Sequence, residues 1–314
     1  MSGTPRQPAG ILNVLKPPGI TSHGVVLRLR RLLGIRTIGH GGTLDPGAAG
    51  VLPVLVGAAT KLMPYLLEHP KRYRAEMTLG IATDTQDASG RPVRVTDDFA
   101  LDLEALEGAL AGFVGRIEQV PPMTSAVRVG GERLYERARR GECVERPSRQ
   151  VHVYDVRVVA VWPPGSQALV KGTRVLLEVT CSKGTYVRTL CHDLGERLGC
   201  GAHMSFLVRT DVGPFTLAES YTLEELAALN AQGRLAECLL PLETALAHLP
   251  RVEVTAAEAA RLRQGMRRPI EPSRIEGPPG QELVAAVEAG RGLVCVARLA
   301  RSRERLQLQP VRVF

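Results

Sequence analysis

The sequence has no long hydrophobic run. No apolar stretch approaches the roughly 20 residues that a membrane-spanning helix requires. The opening residues, MSGTPRQPAG, contain no apolar segment of the kind found in signal peptides. We therefore expect a cytoplasmic protein without a membrane partner. The length of 314 residues predicts about two domains, each large enough to bury its own core.

Common metal-binding and nucleotide-binding signatures are also missing. The six cysteines form no C-x-x-C pair and no histidine lies at zinc-finger spacing, which argues against structural zinc and favours reduced, packed thiols. The sequence has no P-loop, no Rossmann fingerprint and no G-x-S-x-G elbow. Asp84 and Asp87 could ligate a metal ion, but their spacing is equally typical of a polar turn.

Lysine is scarce, whereas arginine is abundant. Five Lys and 35 Arg make up the 40 basic residues, the formal net charge is +8, and the pI is about 9.5. Such a charge favours a polyanionic partner, most simply nucleic acid, because the planar guanidinium group suits phosphate. Genomic base composition or adaptation to heat would explain the arginine excess equally well, so the placement of the charges matters more than their total.

One carboxylate lies in an unusual run of small and apolar residues. Residues 39–56 read GHGGTLDPGAAGVLPVLV, in which the glycines allow turns and close approach of another molecule. Residues 51–56 read as a buried strand with Pro53 near its start. The pattern holds Asp45 on an open turn above a rigid floor, which makes it a candidate catalytic carboxylate. The alternative is that its side chain only organises the turn.

Two further segments suit contact with a nucleotide. In Lys71–Leu79, which alternates as a strand, Tyr73 faces away from its arginine neighbours and suits stacking on a flipped base. In residues 182–189 (SKGTYVRT), Tyr186 and Arg188 lie in the first turn of a helix. Because the helix dipole favours acids there, Arg188 indicates an anionic partner. A half-buried strand tyrosine and a solvated arginine are the corresponding alternatives.

A basic, turn-rich segment extends from Arg128 to Arg149. It holds seven Arg and four Glu, with Tyr135 among them. This composition predicts a flexible hairpin that grips an RNA backbone. A solvated charged loop is the alternative.

Hydrophobic periodicity predicts strands mixed with helices, without regular βαβ alternation, and therefore an α+β body. A β-rich tail begins near residue 250, and residues 118–129 read as irregular. The predicted strands lie at residues 10–15, 51–56, 71–79, 151–161, 174–181, 282–287, 293–299 and 306–313. The predicted helices lie at residues 22–34, 60–68, 101–110, 134–140, 185–198, 221–229 and 255–264.

Five motifs in this order resemble those of the TruB family, the bacterial tRNA pseudouridine-55 synthases. They read LKPPGITSH, GHGGTLDPGAAGVLPV, KRYRAEMTLG, VPPMTSAVRVGGERLYERAR, and CSKGTYVRTLCHDLG followed by CGAHMSFLVRT. The resemblance implies a pseudouridine synthase fold, with a mixed, mainly antiparallel central sheet and flanking helices, in residues 1–249. It also implies an RNA-binding insertion at about residues 124–152 and a PUA-type RNA-binding domain in residues 250–314.

The resemblance also implies an activity. The family isomerises a uridine in the T-loop of tRNA to pseudouridine without a metal or organic cofactor. The resemblance implies that Asp45 is catalytic and that Arg188 pairs with it. It implies that Tyr73 stacks on the flipped uracil, that Tyr186 holds the base, and that Leu207 forms an apolar wall of the pocket. It also implies that His40 contacts the T-loop and that Lys16 lies near the pocket. A nearby Arg188 would keep Asp45 ionised.

The chain departs from the commonest family pattern at Leu15, at Gly41 and at residues 47–49, and none of these departures affects the catalytic set. We expect a monomer that uses no guide RNA. The alternatives are a guide-RNA-dependent relative and a non-catalytic chaperone that folds tRNA.

Overall fold

The computed structural model describes residues 8–302 and 305–314 of the chain. The strands before residue 250 are β1 (Gly10–Lys16), β2 (Ile38–His40), β3 (Ala49–Val56), β4 (Lys71–Leu79), β5 (Ile81–Thr83), β6 (Pro92–Val95), β7 (Gly115–Gln119), β8 (Arg128–Val129), β9 (Glu132–Arg133), β10 (Arg149–Trp162), β11 (Arg174–Cys181), β12 (Ala202–Val212) and β13 (Phe215–Thr216). The later strands are β14 (Arg251–Val254), β15 (Arg268–Pro269), β16 (Ile275–Glu276), β17 (Leu283–Glu288), β18 (Gly292–Ser302) and β19 (Arg305–Val313).

The helices connect and cover these strands. They are α1 (Ser22–Leu33), α2 (Met63–Leu66), α3 (Leu103–Ala111), α4 (Leu134–Arg139), α5 (Val187–Arg197), α6 (Leu223–Ala231) and α7 (Ala256–Arg263). Short 3₁₀ turns occupy Gly57–Leu62, Leu235–Cys238, Leu242–Leu246 and Pro272–Arg274. Across the described residues, every helix is too short or too polar to cross a membrane.

The central sheet has the strand order β1-β3-β12-β4-β11-β10-β7, with β2 paired to β3 and β13 paired to β12. Strands β3 and β12 are parallel, at Ala49 and Gly50 of β3. The other pairings in this sheet are antiparallel. The predicted α+β fold with a mixed, mainly antiparallel sheet is therefore confirmed.

Several elements follow directly from local sequence signals. Helix α1 begins after Thr21, whose hydroxyl accepts a hydrogen bond from the backbone N–H of Gly24, and it ends at Gly34 in the left-handed conformation. Strands β4 and β11 occupy the predicted residues. Strands β7, β12 and β14 were not predicted, and β3 begins at Ala49, so that Pro53 lies in its middle.

The core of the body lies on both faces of this sheet. Helices α3 and α5 bury Leu110 and Leu194 in an apolar cluster that also contains residues of β4, β10, β11 and β12. Helices α1 and α6 pack with Leu29 and Leu226 against the edge formed by β1 and β3. Strands β1 and β3 are thus buried on both faces, whereas β4 and β11 bury one face and leave the other, which carries Arg72 and Arg74, at least partly exposed.

The tail forms a second sheet, with the order β15-β19-β18-β17-β14-β16. It has its own apolar core, which includes Val252, Leu262 and Val294. A separate cluster joins tail residues such as Val296 to Leu55 of the body. The predicted β-rich C-terminal domain is confirmed, whereas the boundary between residues 249 and 250 stays a prediction.

Candidate active site

Side chains from other elements hold the segment between β2 and β3 that carries Asp45. Lys16, at the end of β1, is fully buried, and its Nζ donates hydrogen bonds to the carbonyl oxygens of Pro46 (3.2 Å) and Ala48 (2.6 Å). The hydroxyl of Ser22 both donates to and accepts from the backbone of the residue before Asp45. These hydrogen bonds hold the backbone of the turn in place, and Asp45 lines the adjacent cleft.

Arg188 lies between two carboxylates. Its side chain is only 5 % exposed; Nη2 lies 3.3 Å from Oδ2 of Asp45, and Nη1 lies 3.1 Å from Oδ2 of Asp87. Nη1 also donates a hydrogen bond to the hydroxyl of Thr124 at 2.7 Å. Arg188 therefore has the anionic partner that its position predicted, and a second carboxylate shares it.

The pKa values of the two carboxyl groups move in opposite directions. Burial raises the pKa of Asp45 above 3.8 and Asp87 adds to the rise, whereas Arg188 and Lys16 oppose it. Burial also acts to raise the pKa of Asp87, but hydrogen bonds from turn hydroxyls together with Arg188 hold it below its usual value. Arg188 thus lowers the pKa of Asp45 as expected, but by less than burial raises it. Because 39 % of the Asp45 side chain remains exposed, water limits that rise.

A cleft of about 280 Å³ opens beside the Asp45 carboxylate. Tyr73 of β4, Leu207 of β12 and Tyr186 line it together with Asp45 and Arg188. Five of the seven predicted site residues therefore meet in one cavity. Its volume is close to the roughly 300 Å³ at which small-molecule pockets begin, which suits a single nucleotide base.

Tyr186 precedes α5 rather than lying in its first turn. The helix begins at the next residue, so that only Arg188 lies in the first turn. The side-chain amide of Gln119, at the end of β7, donates to the carbonyl oxygen of Tyr186 (3.2 Å) and accepts from its N–H (3.0 Å). This reciprocal contact fixes the start of α5, and with it the approach of Arg188 to Asp45.

His40 lies at the end of β2 and is not part of the cleft lining. Burial lowers its pKa, Arg209 and His23 lower it further, and a backbone contact with Gly42 opposes them. Its Nδ1 is buried and finds no hydrogen-bond partner in the described part of the chain. The lowered pKa favours the neutral imidazole, which borders the Asp45 turn, and its predicted contact with the T-loop stays a prediction.

Asp84 and Asp87 each make contacts within the protein. Asp84 accepts a hydrogen bond from the backbone N–H of Arg91 at 2.8 Å, whereas Asp87 pairs with Arg188. Within residues 8–302 and 305–314, no group of three or more His, Cys, Asp or Glu is placed to hold a metal ion. The two aspartates organise their turn, and Asp87 also extends the Asp45–Arg188 pair.

The basic segment forms a short β8–β9 hairpin followed by α4. Glu132 pairs with both Arg137 and Arg140, at 3.1 Å and 2.8 Å. The guanidinium of Arg139 lies 5.4 Å from the ring centroid of Tyr135. Part of the arginine charge is thus already paired within the segment, and seven Arg against four Glu leave an excess of positive charge.

Comparison with known proteins gives the family. Residues 30–187 match the model for TruB family pseudouridylate synthases (N-terminal domain) and residues 188–247 match that for the tRNA pseudouridylate synthase B C-terminal domain. The tRNA pseudouridine synthase B of Symbiobacterium thermophilum is 52 % identical, and the match covers 82 % of each chain. That of Heliobacterium modesticaldum is 44 % identical over 99 % of this chain and 97 % of its own. The chain belongs to the TruB family.

Two solved structures share the fold of this TruB-family chain. A chain in a Cbf5-Nop10-Gar1 complex is 29 % identical with a TM-score of 0.73, and the match covers 97 % of this chain and 84 % of that one. A chain in an H/ACA RNP bound to a substrate RNA containing 2′-deoxyuridine is 27 % identical with a TM-score of 0.72 and the same coverage. The family predicted from the motifs, its fold and its pseudouridine synthase activity are confirmed.

The two TruB family models divide the cleft between them. The first ends at residue 187 and the second begins at residue 188, which is the start of α5. Strand β12 belongs to the second model, yet it lies between β3 and β4 of the first. Asp45 and Tyr73 therefore come from one matched region and Arg188 and Leu207 from the other, so that both are needed for one site.

Two residues of this site are not predicted from the sequence. The spacing of Asp87 indicates a metal ligand or an ordinary polar turn, and no pattern singles out Arg209. Arg209 lines the cleft and has the largest side chain among the fully buried residues that the structure describes. The motif SFLVRT contains it, but an arginine beside Leu207 gives no local sign that it is buried.

Proposed function

We propose that this TruB-family protein converts the uridine at position 55, in the T-loop of tRNA, to pseudouridine, with Asp45 as the catalytic carboxylate. The observation that carries the proposal is the Asp45–Arg188 ion pair of 3.3 Å, in a base-sized cleft that Tyr73 and Tyr186 line. Relatives named tRNA pseudouridine synthase B, which are 44–52 % identical, support tRNA as the substrate.

The chemistry needs a carboxylate and a closed pocket. The bond between N1 and C1′ of uridine breaks, the uracil turns, and C5 bonds to C1′; C5 loses a proton and N1 gains one, so that substrate and product are isomers. Cleavage builds positive charge on the sugar, which a carboxylate can stabilise, attack at C1′, or relieve by removing a sugar proton. All three roles require ionised Asp45, and Arg188 and Lys16 favour that form.

The target base must leave the T-loop stack before Asp45 can reach its sugar. Extrusion costs a few kcal/mol, and stacking on Tyr73, at roughly 1–3 kcal/mol per base, offsets much of this cost. Tyr186 and Leu207 hold the base in the cleft. His40, outside the cleft and next to the Asp45 turn, contacts the T-loop and helps to replace the extruded base.

The remaining basic surface supports binding of the tRNA backbone. We propose two surfaces that bind it: the segment between Arg128 and Arg149, and the C-terminal domain, which we take to be PUA-type. The net charge of +8 suits a polyanion. We further propose that the protein acts as a monomer in the cytoplasm and without guide RNA. The relatives of 44–52 % identity are named for tRNA, whereas the neighbours in Cbf5 and H/ACA assemblies are only 27–29 % identical.

A reaction with a defined transcript tests this function. Purified protein is incubated with unmodified tRNA transcript, without guide RNA, and pseudouridine is mapped along the product. We expect modification at the T-loop uridine alone. Absence of modification there would contradict a stand-alone tRNA enzyme and favour a guide-dependent enzyme or a chaperone.

The Asp45→Asn variant tests the catalytic assignment. It removes the charge but keeps the size of the side chain, so we expect the Kd for tRNA to stay within about twofold while turnover is lost. Asp97→Asn is the matched control, because Asp97 is an exposed carboxylate that pairs with Lys171 away from the cleft. Normal turnover by Asp45→Asn would reduce Asp45 to a residue that only organises its turn.

A further inference from the structure

A buried arginine without a carboxylate partner lies beneath the cleft. Arg209 is 1 % exposed, and the ion pairs found in the described residues do not include it. A cation that is buried without a counter-charge loses much of its solvation. The hydrogen bonds of its guanidinium group must therefore offset the free-energy cost of burying the charge of Arg209.

The guanidinium donates three hydrogen bonds to backbone carbonyl oxygens of the segment around Asp45. Nη2 donates to the carbonyl oxygen of Gly42 at 3.1 Å, and Nη1 to that of Thr43 at 3.4 Å. Nε donates to the carbonyl oxygen of Val51 at 2.7 Å. Two of these acceptors precede Asp45 and one follows it, so one side chain ties both limbs of the turn to β12.

With Lys16 and Ser22, Arg209 completes a set of donors for the backbone of this turn. Arg209 satisfies the carbonyl oxygens before the turn, Ser22 that of the residue preceding Asp45, and Lys16 those of the residues that follow. The carbonyl of Asp45 itself accepts from the N–H of Ala48 at 3.1 Å. The turn cannot change its backbone path without breaking a buried hydrogen bond, which is costly when the partner is left unsatisfied.

The same arginine is next to the stacking ring. Arg209 and Tyr73 are partners in the register between β12 and β4, both side chains line the cleft, and the guanidinium lies beside the Tyr73 hydroxyl, where it opposes the rise that burial causes in the pKa of Tyr73. Arg209 is thus in contact with both parts of the site.

We propose that Arg209 is a positioning residue that fixes the Asp45 carboxylate relative to the Tyr73 ring. The carboxylate then meets the sugar while the ring holds the base. We call these Arg209 hydrogen bonds to Gly42, Thr43 and Val51 the brace; they are formed in the free protein, before RNA binds. Only arginine supplies donors on a rigid, planar fork that can reach carbonyls on both limbs of the turn; the ammonium group of lysine is a single point. The catalytic part of this proposal rests on the proposed function of the cleft.

The test compares Arg209→Lys and Arg209→Met with the unchanged protein in single-turnover reactions on unmodified tRNA transcript. Because a displacement of about 1 Å can cost about 100-fold in rate, we expect a loss of that order in both variants, with the Kd for tRNA within about threefold. Arg30→Lys is the matched control, since Arg30 also donates to a backbone carbonyl near the turn, that of Ile38, at 2.9 Å. It should react at nearly the normal rate.

Hydrogen exchange measured by mass spectrometry distinguishes a local role of Arg209 at the Asp45 turn from a general contribution to stability. In both Arg209 variants, amides in residues 41–52 should exchange faster, while those of α7 keep their protection. If the methionine variant does not fold, the lysine variant, which keeps the charge and most of the volume, carries the test.

Two results would overturn the proposal. One is a normal single-turnover rate in both Arg209 variants. The other is faster exchange throughout the protein, with a loss of rate that matches the unfolded fraction. The exchange measurement needs no activity, so it separates failure of the brace from failure of the proposed function, which would instead appear as an unchanged protein that forms no pseudouridine in the T-loop.

Discussion

Asp45 and Asp87 share one guanidinium, and this sharing affects the chemistry of the site. Arg188 touches both carboxylates, so it cannot fully neutralise either of them. Asp87 therefore has two opposed effects on Asp45. It anchors Arg188 beside the carboxylate, and its own charge raises the pKa of Asp45.

Asp87→Asn separates these two effects. In the proposed mechanism Asp45 works in its ionised form, so the single-turnover rate should rise with pH through the pKa of Asp45, which lies above 3.8. Removing the charge of Asp87 lowers that pKa, so the acid limb should move to lower pH. The maximal rate should also fall, because Arg188 loses an ion pair. The measurement is the single-turnover rate from about pH 4 to about pH 8.

The neighbouring aspartate provides the control for this prediction. Asp84→Asn keeps an acceptor for the N–H of Arg91 and removes a charge from the same turn without touching Arg188. Its pH profile should match that of the unchanged protein. An acid limb that moved to higher pH in Asp87→Asn would show that Asp87 acts on Asp45 mainly through the position of Arg188.

Individual site residues differ in how visible they are in the sequence. Asp45, Tyr73 and Arg188 lie in motifs whose local pattern already points to chemistry. The role of Arg209 cannot be predicted from the sequence, because arginine is usually exposed and the residues that it contacts lie 158 to 167 positions away in the chain. The role of Asp87 is hidden for a related reason: its spacing reads as an ordinary turn, and its contact with Arg188 spans 101 residues.

At the scale of elements, the junction of β3 and β12 decides where the Asp45 turn ends. Gly50 has φ of +114°, and a Cβ there would lie 2.2 Å from the carbonyl oxygen of Arg209. The two backbones approach closely at this point, which is where the sheet has its parallel pairing. The position requires glycine for its backbone conformation and for the missing side chain alike.

Gly50→Ala should therefore destabilise the protein. Strain of roughly 1–3 kcal/mol at a positive φ adds to the clash with backbone that cannot move freely. We expect the free energy of unfolding to fall by at least about 2 kcal/mol, measured by denaturant titration. Gly47→Ala is the matched control, since a Cβ there meets no atom within 4 Å and should change stability by less than about 0.5 kcal/mol. Equal stability of the two variants would contradict a tight junction.

Strands are predicted from sequence to the extent that their side chains alternate. Strand β4 alternates buried and more exposed residues along its whole length, and its bounds were predicted without error. Strand β12 lies in the middle of the sheet, yet register shifts between Met204 and Phe206 and between Arg209 and Asp211 break its two-residue period. Without that period, its residues were recognised only as a family motif.

At the scale of the whole molecule, the tail is attached to the body through a linker, residues 241–250, that contains His248. Linker residue Leu246 shares an apolar cluster with Leu55 of the body and Val296 of the tail. In the same region Nε2 of His69 lies 2.9 Å from the carbonyl oxygen of Ala245 and 3.1 Å from Nδ1 of His248. The histidine pair therefore connects the linker directly to the body, just before the predicted domain boundary.

This histidine pair makes the stability of the protein depend on pH. Burial and, to a smaller extent, the neighbouring His69 lower the pKa of His248 from 6.5 to about 4, although Glu68 opposes this shift. Burial also lowers the pKa of His69, and a hydrogen bond to Ala245 opposes that shift. Below about pH 6.5 the unfolded chain thus binds more protons than the folded one. The contribution of the pair is complete above pH 6.5 and is lost as the pH falls towards 4.

We expect His248→Gln to have a shallower loss of thermal stability than the unchanged protein between about pH 6.5 and about pH 4, because glutamine does not titrate. Thermal unfolding at several pH values measures this difference, and carboxyl groups that titrate in the same window cancel in the comparison. A wild-type slope in His248→Gln would show that the linker contact survives protonation, and the attachment of the tail would then depend on its apolar cluster alone.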